Sequence, residues 1–272
     1  MSKLYVVGTP IGNLGDFSPR AVETLEKVDF IAAEDTRVTL KILNHFGIKK
    51  EMVSYFEHNK RERGEYIASR IADGESCAIV TDAGMPAISD PGQDLVHLCH
   101  EMNIDVESVP GPTAFATALA ISGMDSGRFT FEGFLSVSKK SRREHLEDIK
   151  DEMRTMIFYE APHKLANTLK DLYCALGNRK LCIVRELTKI HEEVIRTTLK
   201  EACELYCDGK LKGELVLIIE GKAKDAAEEI TFEDAVNMAK DFVDGGMSVN
   251  NAAKETAAQT PFKKNDIYKA LL

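Results

Sequence analysis

Glycine and proline cluster in three segments that each follow a short apolar run. These segments are residues 8–15, 81–92 and 110–114. Glycine lets a ligand approach the backbone closely, and proline restricts a loop to few shapes. Ligands of open parallel sheets bind outside the carboxyl ends of the strands. Three such loops at one sheet edge therefore predict a ligand-binding pocket there.

The loops lack the sequence signatures of phosphate binding. A Walker loop is missing, and Gly8 and Gly12 are four residues apart, which does not match the G-x-G-x-x-G pattern of dinucleotide sites. None of the six cysteines forms a C-x-x-C pair, and the histidines do not complete a zinc spacing. We therefore predict neither a phosphate cradle nor a metal site.

The elements that would position these loops alternate between strands and helices. Apolar runs predict five strands in the first part of the chain, each followed by an amphipathic stretch with helical spacing. The predicted strands are residues 3–8, 30–33, 52–56, 77–81 and 106–109. This alternation is typical of a parallel sheet covered by helices.

A second series of strands and helices follows the glycine-rich residues 122–127. Its predicted strands are residues 129–134, 155–159, 180–185 and 214–220. The last two could pair antiparallel, which would make this sheet mixed. We predict an α/β fold with an N-terminal α/β domain (1–122), a C-terminal α/β domain (123–222) and a small helical extension (223–272), in which residues 248–271 resemble a helix-turn-helix.

Composition and charge limit the class of protein. Hydrophobic residues make up 44% of the chain and charged residues 29%, which is enough to form a folded core. No apolar run approaches the ~18 residues of a membrane-spanning helix, and the N-terminus does not resemble a secretory signal. We expect a cytoplasmic protein that does not associate with membranes.

The net charge of −9 argues against a protein that coats nucleic acid non-specifically. A local basic patch on an acidic protein would still suffice for RNA binding. The densest basic run contains Lys139, Lys140, Arg142 and Arg143. Its position just after a predicted strand of the second sheet places it near the predicted cleft.

Six segments in order along the chain carry a resemblance to a known family. They are residues 8–14, 33–37, 81–92, 109–114, 159–164 and 185–189. Together they resemble the tetrapyrrole methylase superfamily, and most of all its members that methylate RNA of the small ribosomal subunit. The resemblance implies a homodimer that binds S-adenosylmethionine in a cleft between two α/β domains. It also implies methylation of the 2′-hydroxyl of a cytidine in the decoding region of 16S rRNA.

The resemblance also implies which residues contact the cofactor. These are Pro10, Gly84, Met85, Ile88, Pro112, Thr113, Ala114, Tyr159, Glu160 and Leu187. Family members that act on tetrapyrroles usually have Gly-Asp-Pro where this chain has Gly84-Met85-Pro86. The missing carboxylate favours the RNA-methylating branch.

A ribose hydroxyl is a poor nucleophile, so a general base could assist the transfer. The candidate bases are Asp35 and Glu160, with Glu34 and Asp82 as alternatives to Asp35. Lys189 is a further catalytic candidate that would steer the substrate. Arg37 and Arg185 join the basic run as predicted RNA contacts.

Three hypotheses remain open from the sequence. The first is an RNA 2′-O-methyltransferase that uses S-adenosylmethionine. The second is a methyltransferase that acts on a tetrapyrrole or another small molecule. The third is a non-catalytic nucleic-acid-binding module that uses the terminal helices. The three glycine- and proline-rich loops favour an enzyme, because a binding module needs no such cleft.

Overall fold

A computed structural model describes residues 2–206, 211–223 and 231–272. The chain forms two compact units, Met1–Lys222 and Ala223–Leu272. The first unit contains two five-stranded sheets and the second contains helices. The boundary at residues 122/123 within the first unit stays a prediction.

The first sheet is parallel throughout, as the strand-helix alternation predicts. Its strands are β1 (Leu4–Val7), β2 (Phe30–Ala33), β3 (Glu51–Ser54), β4 (Cys77–Val80) and β5 (Val106–Val109), in the order β3-β2-β4-β1-β5. The intervening helices are α1 (Pro19–Lys27), α2 (Thr36–His45), α3 (Lys60–Ala72) and α4 (Gln93–Glu101). Strands β2 and β4 are buried at every position, as expected for central strands covered on both faces.

The second sheet is mixed, which confirms the antiparallel alternative. Its strands are β6 (Phe129–Gly133), β7 (Thr155–Glu160), β8 (Lys180–Arg185), β9 (Glu193–Thr198) and β10 (Leu215–Ile219), in the order β6-β7-β10-β8-β9. The sequence did not predict β9. This strand lies at the sheet edge and has no fully buried residue, so it lacks the apolar run that marks the other strands.

Helices cover both faces of the second sheet. Helix α5 (Ala114–Ser122) connects the two sheets and packs on β7, β8 and β10, which explains its almost entirely apolar sequence. Helices α6 (Lys139–Asp148), α7 (Leu165–Leu176) and α8 (Leu199–Tyr206) follow in the chain, and the buried residues of α7 and α8 form the core on the opposite face.

The described part of the second unit contains α9 (Phe232–Asp244), α10 (Val249–Gln259) and α11 (Lys264–Ala270). Ala239, Ala253 and Ile267 form its small core. The helix pair predicted within residues 248–271 is present as α10 and α11. Residues 224–230 of the predicted extension lie outside the described residues. In the described part of the chain, every helix is too short or too polar to cross a bilayer.

Candidate functional site

The loops after β1 and β4 are joined by backbone hydrogen bonds. The amide nitrogen of Thr9 donates to the carbonyl oxygen of Gly84 over 2.9 Å, and the amide of Gly84 donates back to Thr9 over 3.1 Å. The Thr9 hydroxyl also donates to the carbonyl oxygen of Thr81 over 3.0 Å. These bonds hold two of the three predicted loops in one arrangement.

The loop after β5 packs directly against the loop after β1. A Cβ atom placed on Gly8 would lie 2.7 Å from the Cα of Gly111 and 2.6 Å from the Sδ of Met85. A Cβ on Gly111 would lie 2.8 Å from the carbonyl oxygen of Gly8. Both positions therefore require glycine because backbone packs on backbone. The three predicted loops converge at this edge of the sheet.

A cavity of about 330 Å³ opens beside these loops, within the size range typical of small-molecule sites. The loops after β4 and β5 form one side, and β7, β8 and β10 contribute to the other. The lining residues are Ile11, Ala83, Gly84, Met85, Ile88, Ser89, Asp90, Thr113, Ala114, Phe115, Phe134, Tyr159, Glu160, Ala161, Pro162, Val184, Leu187, Glu214, Leu215 and Val216.

Most of the predicted cofactor contacts lie in this lining. They are Gly84, Met85, Ile88, Thr113, Ala114, Tyr159, Glu160 and Leu187. Pro10 and Pro112 are not among the lining residues. Pro112 lies next to the loop after β4, since its carbonyl oxygen would be 3.6 Å from a Cβ on Gly84. That these residues bind S-adenosylmethionine stays a prediction.

Four chemically distinctive lining residues were not predicted from the sequence, namely Asp90, Phe115, Phe134 and Glu214. Asp90 lies in the segment 81–92, so a search of that segment for titratable residues would have found it. Phe134 lies five residues before Lys139, the first residue of the basic run. No local signal marks Phe115 or Glu214, because their place in the cavity depends on how the two sheets pack.

The charges around the cavity fit a cationic ligand better than a phosphate. Asp90, Glu160 and Glu214 line it, and the described lining contains neither lysine nor arginine. Aromatic rings of Phe134 and Tyr159 lie 5.5 Å apart in the lining, and such rings attract cations. S-adenosylmethionine has a sulfonium cation and no phosphate, so the residues present fit this methyl donor.

Glu160 is held in the cavity wall by hydrogen bonds. Its Oε1 accepts from the backbone amide of Ala161 over 2.7 Å, and its Oε2 accepts from the hydroxyl of Thr168 on α7. The same Thr168 hydroxyl accepts from Arg142 over 2.9 Å, and Arg142 also pairs with Asp171 over 2.7 Å. Both Glu160 oxygens are therefore already engaged, which suits a positioning role better than that of a base.

Lys189 is a structural contact between loops and not a lining residue. Its ammonium pairs with Glu186 over 3.0 Å and with Glu214 over 2.9 Å. Its side-chain methylenes pack on Gly12, where a Cβ would lie 2.6 Å from the Lys189 Cγ. Lys189 thus links the loop after β8, to which it belongs, with the loop after β1, which contains Gly12.

The structure does not bring Asp35 to the cavity lining. Its carboxylate accepts from the backbone amide of Arg37, which caps the start of α2, and pairs with the Arg37 guanidinium over 2.6 Å. These contacts lower the pKa of Asp35 to about 2, and so weak a base accepts protons poorly at neutral pH. We therefore do not assign Asp35 the role of base.

The two alternatives to Asp35 lie in the neighbouring loops but not in the lining. The amide of Asp82 donates to a carboxylate oxygen of Glu34 over 3.3 Å. Burial, together with neighbouring carboxylates, raises the pKa of both Glu34 and Asp82. They form an acidic environment next to the cavity.

The six predicted RNA contacts differ in exposure and in their partners. Lys139, Lys140 and Arg143 are exposed on the first turns of α6. Arg142 instead points inward to its partners on α7, so the structure does not leave it free for phosphate. Of the remaining two, Arg185 is half-buried and lies 3.5 Å from Glu193, whereas Arg37 is exposed although it pairs with Asp35. RNA binding by these residues stays a prediction.

Comparisons with known proteins show which family and which fold the chain resembles. The family described as Tetrapyrrole (Corrin/Porphyrin) Methylases matches residues 3–203. The chain is 44% identical to a protein of Synechocystis sp. named ribosomal RNA small subunit methyltransferase I, over 100% of this chain and 98% of the relative. Proteins of the same name from Halalkalibacterium halodurans and Thermotoga maritima are 46% and 45% identical; the alignments cover 97% and 82% of this chain and 93% and 100% of those relatives.

Solved structures share the fold at low sequence identity. A uroporphyrin-III C-methyltransferase from Thermus thermophilus superposes with a TM-score of 0.59 at 16% identity, over 81% of this chain and 94% of that one. A cobalt-precorrin-4 methyltransferase of cobalamin biosynthesis gives a TM-score of 0.60 at 17% identity, over 80% and 95% of the two chains. These similarities confirm the predicted tetrapyrrole methylase-like α/β architecture.

Proposed function

Because the chain belongs to the tetrapyrrole methylase family and is a methyltransferase, we propose that it methylates RNA of the small ribosomal subunit with S-adenosylmethionine as donor. We further propose that the acceptor is the 2′-hydroxyl of a cytidine in the decoding region of 16S rRNA. The observation that supports this most directly is the cavity itself. It combines carboxylates and aromatic rings, has no cationic lining residue among those described, and is formed by the loops that the family motifs occupy.

The donor would lie against the backbone of the loops after β4 and β5. Gly84, Met85 and Ile88 would contact it from one loop, and Thr113 and Ala114 from the next. The donor supplies an activated methyl group on a sulfonium centre. The protein mainly has to align the acceptor oxygen with that methyl group, and alignment alone can contribute ~7–11 kcal/mol to the lowering of the barrier.

The second sheet would complete the site. Tyr159, Glu160 and Leu187 line the cavity opposite these loops. The Tyr159 hydroxyl oxygen accepts from the backbone amide of Phe115 over 3.2 Å, which fixes the start of α5 beside the cavity. Lys189 and Arg185 would act by holding the loop after β8 in place, through the ion pairs described above.

The RNA would approach over the start of α6. Lys139, Lys140 and Arg143 are exposed there and could pair with phosphates. This helix follows Phe134, an exposed aromatic residue of the cavity lining. A basic surface thus adjoins the cavity, although the protein as a whole has a net charge of −9.

We propose in addition that the protein acts in the cytoplasm as a homodimer, which rests on the family resemblance alone. Light scattering coupled to gel filtration would report the oligomeric state. A mass of one chain, 30.2 kDa, at micromolar concentration would contradict the dimer.

Transfer of a labelled methyl group tests the function. The donor is supplied with intact small ribosomal subunits, with free 16S rRNA and, in a third arm, with a tetrapyrrole. We expect label in RNA and, after digestion to nucleosides, in a 2′-O-methylcytidine. Label in the tetrapyrrole alone would select the small-molecule hypothesis, and label in no acceptor would refute the proposed enzyme.

A further inference from the structure

Two of the three carboxylates that line the cavity have protein partners. Both oxygens of Glu160 accept hydrogen bonds, from Ala161 and Thr168. Glu214 pairs through its Oε2 with Lys189 over 2.9 Å. Glu160 is therefore committed to the wall of the cavity, whereas Glu214 is a largely exposed side chain engaged in an ion pair.

Asp90 is the third carboxylate, and it differs from the other two. Within residues 2–206, 211–223 and 231–272, no side chain or backbone amide forms a hydrogen bond or ion pair with its carboxylate. Its pair of oxygens is consequently available to a ligand in the cavity that it lines. A half-buried carboxylate without a partner is unfavourable for folding, so its presence in a ligand cavity calls for a functional reason.

The loop that holds Asp90 has a fixed and unusual backbone. Ala87 and Ser89 have positive φ angles of 67° and 64°, which are uncommon for residues other than glycine. The Ala87 amide donates to the carbonyl oxygen of Pro91, and a Cβ on Gly92 would lie 3.0 Å from the Ala87 nitrogen. Backbone strain of this kind persists where the surrounding structure enforces it.

The charged and titratable groups near Asp90 come from three directions. Glu34 follows β2, Asp82 follows β4, and Tyr159 belongs to β7 across the cavity. Burial, reinforced by the negative charges of Glu34 and Asp82, raises the pKa of Asp90 to about 7. A group with such a pKa is a stronger base than an ordinary carboxylate and is partly ionised at neutral pH.

We propose that Asp90 accepts the proton of the acceptor hydroxyl during methyl transfer, an inference that rests on the proposed function. The ribose oxygen forms a bond to the methyl carbon while the carbon–sulfur bond of the donor breaks, and its electron pair stays on sulfur. The hydroxyl proton passes to an Asp90 oxygen and from there to water. Ionised Asp90 would also be favoured by the nearby sulfonium charge.

The test compares Asp90→Asn with the unaltered enzyme in single-turnover reactions on the RNA substrate. General-base assistance contributes about 10²–10⁴-fold, so we expect the single-turnover rate to fall at least 100-fold. The affinity for S-adenosylmethionine, measured by calorimetric titration without RNA, should change less than about 3-fold. Asp94→Asn is the matched control, because Asp94 lies on α4 and pairs with Lys60 outside the cavity.

The pH dependence gives a second readout. The rate of the unaltered enzyme should rise as Asp90 loses its proton, with a midpoint at or below about 7 because the bound sulfonium favours the carboxylate. The Asn variant should lose this dependence. An unaltered rate in Asp90→Asn would overturn the inference while leaving the proposed function standing. A loss of donor affinity as large as the loss of rate would also overturn it and make Asp90 a donor contact.

Stability provides a readout that needs no activity. The pKa of Asp90 is raised in the folded state from 3.8, the value expected in the unfolded chain, to about 7. Between these two pH values the folded protein therefore binds more protons than the unfolded chain. The stability from this group is therefore fully present below the unfolded pKa, falls progressively as the pH rises between the two pKa values, and is lost above about 7. Asp90→Asn should raise Tm at pH 8 relative to the unaltered protein, and the gain should shrink at pH 5. An equal Tm difference at both pH values would contradict an unpartnered, half-buried carboxylate.

Discussion

At the scale of single residues, neighbouring groups decide what each carboxylate can do. Asp35 and Asp90 are both loop aspartates of the first sheet, yet Arg37 lowers the pKa of Asp35 whereas burial raises that of Asp90. Glu160 is buried but fully hydrogen-bonded. The same chemical group thus serves as a helix cap, as a candidate base and as a structural support.

Thr168 illustrates how such a support is held. Replacing it with valine keeps the shape but removes the hydroxyl that donates to Glu160 and accepts from Arg142. A buried carboxylate oxygen would then lack a partner, so we expect a loss of about 1–3 kcal/mol in the free energy of unfolding. Urea denaturation would measure this loss.

Thr117→Val serves as the control for that substitution. Among the residues that the structure describes, its hydroxyl bonds only to the carbonyl oxygen of Thr113 one turn earlier, and the change should stay within about 0.5 kcal/mol. If both variants unfold at the same urea concentration as the unaltered protein, the Glu160 contact does not contribute to stability.

At the scale of elements, the site depends on close contact between loops that are far apart in sequence. The loops after β1 and β5 meet at Gly8 and Gly111, where no Cβ fits. The loops after β1 and β4 are joined by backbone hydrogen bonds. Small residues at these positions are therefore a requirement of packing and not only of ligand access.

Gly111→Ala tests this requirement. Its Cβ would lie 2.8 Å from the Gly8 carbonyl oxygen, so the loops must separate. We expect a lower Tm and at least a 10-fold weaker affinity for S-adenosylmethionine. Gly64→Ala on α3 is the control, because its Cβ would have no neighbour closer than 3.7 Å; it should leave binding unchanged and raise stability by about 0.5–1 kcal/mol. Unchanged donor affinity in Gly111→Ala would contradict this account of the site.

Helix α6 presents the basic residues proposed to bind RNA. The triple substitution of Lys139, Lys140 and Arg143 by glutamate should weaken RNA binding and reduce the dependence of log K on log salt. Each lost phosphate contact removes about 0.7–0.9 from that slope. Donor affinity should stay unchanged, because none of the three lines the cavity. Arg142 is left intact, since its contacts with Asp171 and Thr168 are structural.

Lys27→Glu on α1 is a control for charge reversal away from α6, because Lys27 is exposed and pairs only with Glu23 among the described residues. An RNA affinity that falls as much in this control as in the triple variant would show a general charge effect. In that case α6 would not be the RNA-binding surface.

At the scale of the whole molecule, the described structure separates into the unit Met1–Lys222 and the unit Ala223–Leu272. All residues of the candidate site belong to the first unit. The Thermotoga maritima relative aligns over its whole length with 82% of this chain. Methyl-donor binding is therefore expected to need only the first unit.

Removal of residues 223–272 tests that expectation. The remaining chain should unfold cooperatively and bind S-adenosylmethionine with an affinity within about 3-fold of the full chain, as measured by calorimetry. Methylation of RNA by the two chains, compared under the same conditions, would then show what the helical unit contributes. A shortened chain that is folded but no longer binds the donor would place part of the site in the second unit.

Strand-helix alternation and glycine-proline clusters are local patterns, so the amino-acid sequence was enough to predict the parallel sheet, the three loops and their meeting at one edge. It could not determine which acidic side chains enter the cavity. The strand order β3-β2-β4-β1-β5 places β1 between β4 and β5, so the loops after these three strands meet, whereas the loop with Asp35 follows β2, one strand further out. Only the tertiary structure sets that order and the packing of the second sheet, because both depend on contacts between distant residues. For the same reason Phe115 and Glu214, which no local pattern marks, became visible as lining residues only in the folded chain.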